Sequence, residues 1–264
     1  MIKILIKTFI PVSFVVFGLS VQAAEIFGGY SSGCIKDAVP FPLQSAYHQS
    51  LQSHPGRNYA HPDMVEFLND LMKSAKKAKI PPLLIGDISL KNGGPLPKSS
   101  HASHNIGLDV DIPFDFAFPQ KTLAQLQKPK DLYLVQSNTL SSHFNNERAT
   151  LIKLAALHPK VTRIFVSPLI KEGLCHFYKN DKDKSWLGKV RPWFGHRAHM
   201  HVRLACPIDS PNCVTQDPPP SGDGCGQELI SWFMPADTNK RPLPQTPKKR
   251  MPLPYQCKTI LSND

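Results

Sequence analysis

The sequence predicts an α+β fold, because helical and extended patterns are mixed along the chain without a regular βαβ rhythm. Residues 62–79 place apolar side chains at three- and four-residue spacing after Pro62, which is typical of an amphipathic helix. Residues 106–112 and 199–204 alternate along the chain instead, which is typical of strands with two distinct faces.

The other elements follow from shorter patterns. Residues 80–90 carry an apolar run after two prolines and predict a buried strand, and residues 91–100 predict a loop because glycine and proline recur there. Residues 147–157 predict a second helix, and residues 163–166 (R-I-F-V) predict a short strand.

The first 23 residues have the pattern of a secretory signal peptide. A basic start precedes the apolar residues 9–19, and V-Q-A at residues 21–23 is a small-x-small cleavage site. We therefore expect an exported mature chain that begins at Ala24; an uncleaved membrane anchor is the alternative. No later stretch is apolar enough to predict stable insertion into a membrane.

The six cysteines all follow the predicted signal peptide. An even number in an oxidising compartment predicts three disulfides, with fifteen possible pairings. No C-x-x-C is present, which disfavours a cysteine zinc cluster or a thioredoxin-like redox pair. Local loop closure is plausible for the pair Cys206 and Cys213, and a bond between Cys34 and Cys257 would tie the two ends of the chain to its body.

Composition predicts one domain over residues 24–234 and a proline-rich basic tail over residues 235–264, pinned back by Cys257. The net charge of +11 favours an anionic partner, although a solvated basic surface is the alternative. Nucleic acid is a poor match for an exported protein, whereas an anionic cell-wall polymer fits. The oligomeric state does not follow from the sequence.

Two short clusters hold the residues with the clearest chemistry. Residues 101–111 read H-A-S-H-N-I-G-L-D-V-D, and residues 196–201 read H-R-A-H-M-H. Imidazole nitrogens with one carboxylate oxygen are the ligands that Zn²⁺ prefers when one position stays open for water. The candidate site residues are His101, His104, Asp111, His199 and His201.

The spacing supports a shared site. His199 and His201 fall on the same face of a predicted strand, so one can bind a metal while the other faces water or substrate. Asp109 shares a strand face with Asp111 and either orients a ligand histidine or is a solvated acid. A hydrogen-bonded polar core is the alternative for the whole cluster. No H-E-x-x-H and no G-x-S-x-G is present, which disfavours two other hydrolase classes.

Longer motifs resemble a known family. They are G-D-I-S (86–89), G-G-P (93–95), H-A-S-H-x-x-G-L-D-V-D-I (101–112), V-T-R-I-F-V (161–166), K-V-R-P-W-F-x-H-R-A-H-M-H-V-R-L (189–204) and P-P-S-G-D-G-C-G (219–226). These motifs are similar to those of the penicillin-insensitive murein endopeptidases, within the lysostaphin, D-Ala-D-Ala peptidase and hedgehog-like (LAS) metallopeptidases. The resemblance implies a small central antiparallel sheet flanked by helices and stapled by disulfides. It also implies a periplasmic zinc enzyme that cuts D-alanyl–meso-diaminopimelyl cross-links of peptidoglycan.

The resemblance also implies roles for individual residues. His104, Asp111 and His201 match the family's metal ligands, and His101 matches a histidine sometimes counted as a ligand. His199 matches the general base, and His196 matches a further active-site histidine. The implied disulfides are Cys34–Cys257, Cys175–Cys225 and Cys206–Cys213.

One departure concerns a second metal site that some relatives carry on a D-x-x-H. Residues 136–144 read Q-S-N-T-L-S-S-H-F and lack that motif, which leaves His143 as the only candidate ligand there. Two alternative functions also stand beside the endopeptidase. One is a zinc D,D-carboxypeptidase that trims terminal D-alanine, and the other is a non-catalytic cell-wall or zinc-binding protein.

Overall fold

The computed structural model describes residues 24–99, 101–234 and 252–262. The predicted signal peptide and residues 235–251 of the predicted tail lie outside the described residues. Within them, the prediction of an α+β fold is confirmed, with six α-helices and several small sheets. No helix in this part of the chain combines the length and apolarity needed to cross a membrane.

The strands are β1 (Glu25–Gly29), β2 (Ser32–Lys36), β3 (Val39–Pro40), β4 (Gln44–Ser45), β5 (His48–Ser50), β6 (Tyr59–Ala60), β7 (Leu83–Ile85), β8 (Asp109–Pro113), β9 (Val135–Gln136), β10 (Thr139–Leu140), β11 (Val161–Val166), β12 (Val190–Pro192) and β13 (His199–Leu204). The helices are α1 (Pro62–Lys77), α2 (Leu123–Gln127), α3 (Asn146–Leu157), α4 (Pro168–Phe177), α5 (Gln227–Ile230) and α6 (Tyr255–Leu261). A short 3₁₀ helix covers Ser185–Lys189.

The central sheet has the strand order β12-β11-β13-β8. Strand β13 runs antiparallel to both β11 and β8, while the edge strand β12 runs parallel to β11. Helix α3 packs against β11, and α1 packs against α3. The family-implied antiparallel sheet with flanking helices is thus present, with one parallel edge strand.

One face of this sheet forms the core. Val110 and Ile112 on β8, with Met200 and Val202 on β13, are completely buried in the main hydrophobic cluster. Because side chains alternate across a strand, the residues between them point to the other face. That second face carries Asp109, Asp111, His199 and His201, so packing of the apolar face orients the polar one.

Two strand predictions were wrong in length. The extended run over residues 80–90 forms a strand only at Leu83–Ile85, because Gly86 then turns its backbone N–H onto the carbonyl of Asp111. Strand β8 begins at Asp109 rather than at residue 106, because Gly107 is left-handed at φ 70°. A Cβ at Gly107 would lie 2.7 Å from the backbone nitrogen of His61, so the close contact between these two backbone segments requires glycine.

The three disulfides form in the pairing that the family resemblance implies. Cys34–Cys257 joins β2 to α6, Cys175–Cys225 joins α4 to the loop before α5, and Cys206–Cys213 closes a local loop after β13. Residues 255–261 form helix α6, which carries Cys257. Closure of the first bond across most of the chain restricts the unfolded ensemble, which stabilises the fold.

Lys171 on α4 is a fully buried cation with backbone partners only. Its Nζ donates to the carbonyl oxygens of Leu187 at 2.7 Å and Asp223 at 2.5 Å, and burial lowers its pKa to about 7. Arg191 nearby also lowers it. A neutral amine still has two N–H groups for these two acceptors.

We expect Lys171 to make stability rise with pH above neutrality. The unfolded chain keeps the Lys171 proton up to its ordinary pKa, whereas the folded chain releases it near pH 7, so folding gains stability between these values. In urea unfolding, the wild type should gain about 1–2 kcal/mol more than Lys171→Met between pH 7 and pH 9. Lys179→Met, at an exposed position, is the control and should keep the wild-type gain. A gain in Lys171→Met equal to that of the wild type would contradict this assignment.

Candidate metal centre

Two neighbouring strands bring the sequence clusters together. In the register of β13 with β8, His201 lies opposite Asp111 and Arg203 lies opposite Asp109. His201 Nδ1 stands 3.0 Å from one oxygen of Asp111, Oδ1. The ninety-residue gap between the two clusters is therefore closed by a single antiparallel pairing.

His104 reaches the same point from the loop before β8. Its backbone is left-handed at φ 72°, its side chain is completely buried, and its Nδ1 lies 2.9 Å from the carbonyl oxygen of Ile88. A carbonyl only accepts hydrogen bonds, so Nδ1 carries the proton and Nε2 presents a lone pair. That Nε2 lies 3.4 Å from Asp111 Oδ2, which is the geometry of a preset ligand.

Asp111 lies at the centre of the cluster. Its Oδ1 accepts no hydrogen bond although it is buried among imidazole nitrogens. Burial alone would raise the pKa of this carboxyl, but the facing imidazoles of His104 and His199 and the hydrogen bond from His101 hold it well below its usual range. One nitrogen each of His104 and His201 and one Asp111 oxygen lie within 4.8 Å of one another. These donors fit a divalent cation, because neutral imidazole and carboxylate are its usual protein ligands.

Asp109 lies behind the ligands and touches two of them. Its Oδ1 accepts from His201 Nε2 at 2.8 Å and from Arg203 Nε at 2.7 Å, and its Oδ2 accepts from the backbone N–H of His104 at 3.2 Å. Burial opposes ionisation, but Arg203 and His201 hold the pKa of Asp109 far below its usual range. Of the two interpretations left open by the sequence, the structure has Asp109 as the partner that turns His201 Nδ1 towards Asp111.

We expect Asp109→Asn to weaken metal binding while every ligand is still present. The amide replaces one acceptor oxygen with a donor, so His201 and His104 lose part of their fixed orientation. Zinc affinity, measured by competition with a chromophoric chelator, should fall about 10- to 100-fold. Asp181→Asn, which removes an acid paired with Lys153, is the control and should bind as the wild type does. Unchanged affinity in Asp109→Asn would contradict the positioning role.

His101 and His199 flank Asp111 on its open side. His101 Nδ1 lies 3.2 Å from Asp111 Oδ2, and this hydrogen bond raises the pKa of His101 against the effect of burial. His199 Nε2 lies 3.8 Å from Asp111 Oδ1 and has no hydrogen-bond partner. Burial lowers the pKa of His199, so at neutral pH it is a free base beside the ligands. With Asp111, these two histidines form a second possible donor group.

His196 completes the histidine cluster at the wall of a cleft. Its ring centre lies 5.1 Å from that of His199, and its Nδ1 lies 2.9 Å from the carbonyl oxygen of Phe194. Burial, with a smaller effect from His199, lowers the pKa of His196 to about 4, so it is neutral at pH 7. The cleft has a volume of about 490 Å³ and is lined by His101, His196, His199 and the buried His201.

His143 and two arginines near the cluster take no part in the donor groups. His143 is exposed and belongs to neither donor group in the described part of the chain. Arg203 is held by Asp109 and by Gln216 Oε1 at 2.9 Å, and Arg191 pairs with Glu228. The contacts of His104 with the carbonyl of Ile88 and of Arg203 with Gln216 were not predictable from the sequence, because backbone acceptors and long-range partners have no local motif.

The arrangement of histidines and one carboxylate at the floor of an open cleft is that of a metal-dependent hydrolase. A family model described as penicillin-insensitive murein endopeptidase matches residues 26–262. The chain belongs to this family.

Curated relatives with this description align along most of their length. The penicillin-insensitive murein endopeptidase of Yersinia enterocolitica is 44% identical over 242 residues, which are 90% of this chain and 86% of the relative. That of Pectobacterium atrosepticum is 45% identical over 242 residues, 90% of this chain and 84% of the relative. That of Salmonella newport is 44% identical over 244 residues, 90% of this chain and 86% of the relative.

Proposed function

We propose that this protein is a periplasmic zinc endopeptidase that hydrolyses D-alanyl–meso-diaminopimelyl cross-links of peptidoglycan and is insensitive to penicillin. The observation that carries the proposal is the convergence of His104, Asp111 and His201 beneath an open cleft, with neutral His199 beside them. Family membership supports the substrate class.

His104 Nε2, an Asp111 oxygen and His201 Nδ1 are the atoms that would hold the ion, and His101 Nδ1 is close enough to join them. When bound, Zn²⁺ supplies Lewis acidity that polarises a carbonyl and acidifies water. The protein contributes rigidity, because β8, β13 and the hydrogen bonds to Ile88 and Asp109 fix each donor before binding.

The unpartnered Nε2 of His199 is placed to accept the proton of the attacking water and to return it to the leaving amine. His196 is neutral and lies 5.1 Å from His199 between ring centres; its Nδ1–H donates to the carbonyl oxygen of Phe194, so its Nε2 is left as an acceptor that can orient the attacking water or a substrate N–H. These roles need no covalent intermediate. The proposed mechanism uses no nucleophilic side chain that a β-lactam could acylate, since all six cysteines form disulfides and the groups assigned to the reaction are histidines and a carboxylate.

Recognition of substrate carboxylates falls to Arg197 among the three arginines of residues 189–204. Its side chain is exposed and lies over the ring of Tyr133, whereas Arg191 and Arg203 are engaged with acidic partners.

Export to the periplasm is supported by the three disulfides, which persist in oxidising compartments. A cleavable leader at residues 1–23 and a catalytic domain at residues 24–234 complete the proposal.

The test uses the purified mature chain and a purified cross-linked muropeptide dimer, with monomer release followed by mass. Release that a chelator stops, that zinc restores and that penicillin does not change is the expected result. Loss of a terminal D-alanine alone would identify a D,D-carboxypeptidase instead. Bound zinc without any product would favour a non-catalytic wall-binding protein.

A further inference from the structure

Two exposed aromatic side chains and a half-buried one form a platform at the rim of the cleft. Trp193 and Phe194 follow β12, and Trp232 follows α5. The Trp232 ring centre lies 5.0 Å from that of Phe194 and 6.3 Å from that of Trp193. Phe194 is 74% exposed and Trp193 is 53% exposed. Large exposed aromatic surface beside a cleft marks a place where a ligand binds.

The platform is continuous with the metal centre. The ring of Phe165 lies 5.5 Å from that of His201, and the ring of Trp193 lies 5.6 Å from that of Phe165. Trp193 and Phe194 also line the cleft that exposes His196 and His199. Two ring-to-ring steps thus separate the platform from the ligands, a distance that about three extended residues of a peptide can span.

The segment that carries Trp232 is fixed to the body at several points. Gln216 bonds to Arg203, the carbonyl of Asp223 accepts from Lys171, and Cys225 is linked to Cys175. Glu228 pairs with Arg191 on β12. The ring of Trp232 is therefore held in place before any ligand arrives, so stacking on it costs little ordering entropy.

The chemistry of peptidoglycan indicates what covers these rings. Its peptides consist of small and charged residues such as alanine, glutamate and a diamino acid, which offer no broad apolar face. Its glycan strands are chains of N-acetylated amino sugars, whose pyranose rings present flat C–H faces edged by hydroxyl groups. An amphipathic aromatic surface is complementary to such a ring.

We propose that Phe194, Trp193 and Trp232 form a subsite that stacks on an amino-sugar ring of the glycan strand from which the cleaved peptide extends. This inference rests on the proposed function, because it takes the substrate to be peptidoglycan. The subsite favours cross-links that are still attached to glycan over free peptide dimers.

The test compares two cross-linked substrates, a peptide dimer with its disaccharides attached and the same dimer without sugars. The wild type should have the higher kcat/KM on the glycan-bearing dimer. Phe194→Ala should reduce that preference about 3- to 10-fold, mainly through KM, because kcat/KM falls more on the glycan-bearing dimer than on the sugar-free dimer. The substitution keeps the backbone carbonyl next to His196 Nδ1. Phe194→Tyr should restore the preference, and Tyr255→Ala, at a 78% exposed aromatic outside the cleft lining, is the control.

A second readout needs no turnover. Two of the chain's three tryptophans are in the platform, so a peptide-free disaccharide should change the intrinsic fluorescence of the wild type and change that of Phe194→Ala less. Absence of cleavage of both dimers, with this fluorescence change present, would reject the proposed function and keep the sugar subsite. Equal kcat/KM on both dimers, or an equal loss on both in Phe194→Ala, would overturn the subsite while the endopeptidase stands. The subsite would also be overturned if the wild-type protein were a dimer of two chains and Phe194→Ala made it monomeric, since the platform would then be a subunit interface.

Discussion

Asp111→Asn is expected to abolish both metal binding and hydrolysis. Asp111 is the one carboxylate in both possible donor groups, and each of its oxygens faces a different imidazole. The amide has nearly the same shape but no charge, so the site loses its anionic ligand without losing volume. Zinc affinity should fall by about 10³-fold or more, beyond the 10- to 100-fold expected for residues that only support ligands.

Thermal unfolding with and without zinc measures this effect independently of activity. A cation that binds only the folded state raises the melting temperature of the wild type, and the rise should be absent in Asp111→Asn. Asp115→Asn makes the same chemical change a few residues beyond β8, where Asp115 pairs with Lys121 at 2.9 Å. It should retain the full zinc-dependent rise. A similar rise in Asp111→Asn would show that Asp111 is not a ligand.

The strand periodicity was enough to predict much of this site. Alternation over residues 199–204 puts His199 and His201 on one face, and the structure forms a strand over these same residues. The loop geometry of His104 was not predictable, since a left-handed backbone at a histidine has no sequence signal. The cross-strand pairing of His201 with Asp111 was also not predictable, because packing across the whole sheet sets the register of two strands that are distant in sequence.

Helix α4 shows why part of the fold was missed. Gly173 in its middle lowers the local helix propensity, and no helix was predicted there from the sequence. In the fold, a Cβ at this position would lie 2.7 Å from Leu140 and 2.9 Å from Phe144, so glycine permits close packing. The stabilisation comes from tertiary packing, which a local sequence pattern does not predict. Helix α1 was predicted to within two residues because Pro62 and the apolar stripe are both local signals.

Tertiary contacts also separate the metal ligands from the acid–base histidine, which local sequence does not. The residue types and their spacing group five metal-type residues without dividing them into ligands and acid–base groups, and only the family resemblance implied that division. The structure separates them by their partners: His104 and His201 each have one ring nitrogen held by an acceptor, Ile88 O or Asp109, while His199 Nε2 has none. A histidine whose second ring nitrogen donates to an acceptor is oriented for metal binding, and a neutral histidine with a free ring nitrogen can accept a proton.

His199→Ala is therefore expected to keep the metal and lose the activity. Removal of this base should lower kcat by about 10²- to 10⁴-fold on a cross-linked dimer, while zinc affinity stays within a few-fold of the wild type. His201→Ala should instead lose zinc, because its Nδ1 belongs to the preset group. His143→Ala removes an exposed imidazole outside both donor groups and should leave kcat and zinc content unchanged.

Zinc content and rate must be measured on the same preparations, because the two donor groups share Asp111 and a rate alone does not separate them. If His199→Ala loses zinc and His201→Ala retains it, the ion belongs to the group of His101, Asp111 and His199, and the base must be sought elsewhere. If His199→Ala retains both zinc and full activity, His199 has no part in proton transfer. Loss of rate with zinc retained leaves the unpartnered Nε2 beside Asp111 as the atom that moves the proton.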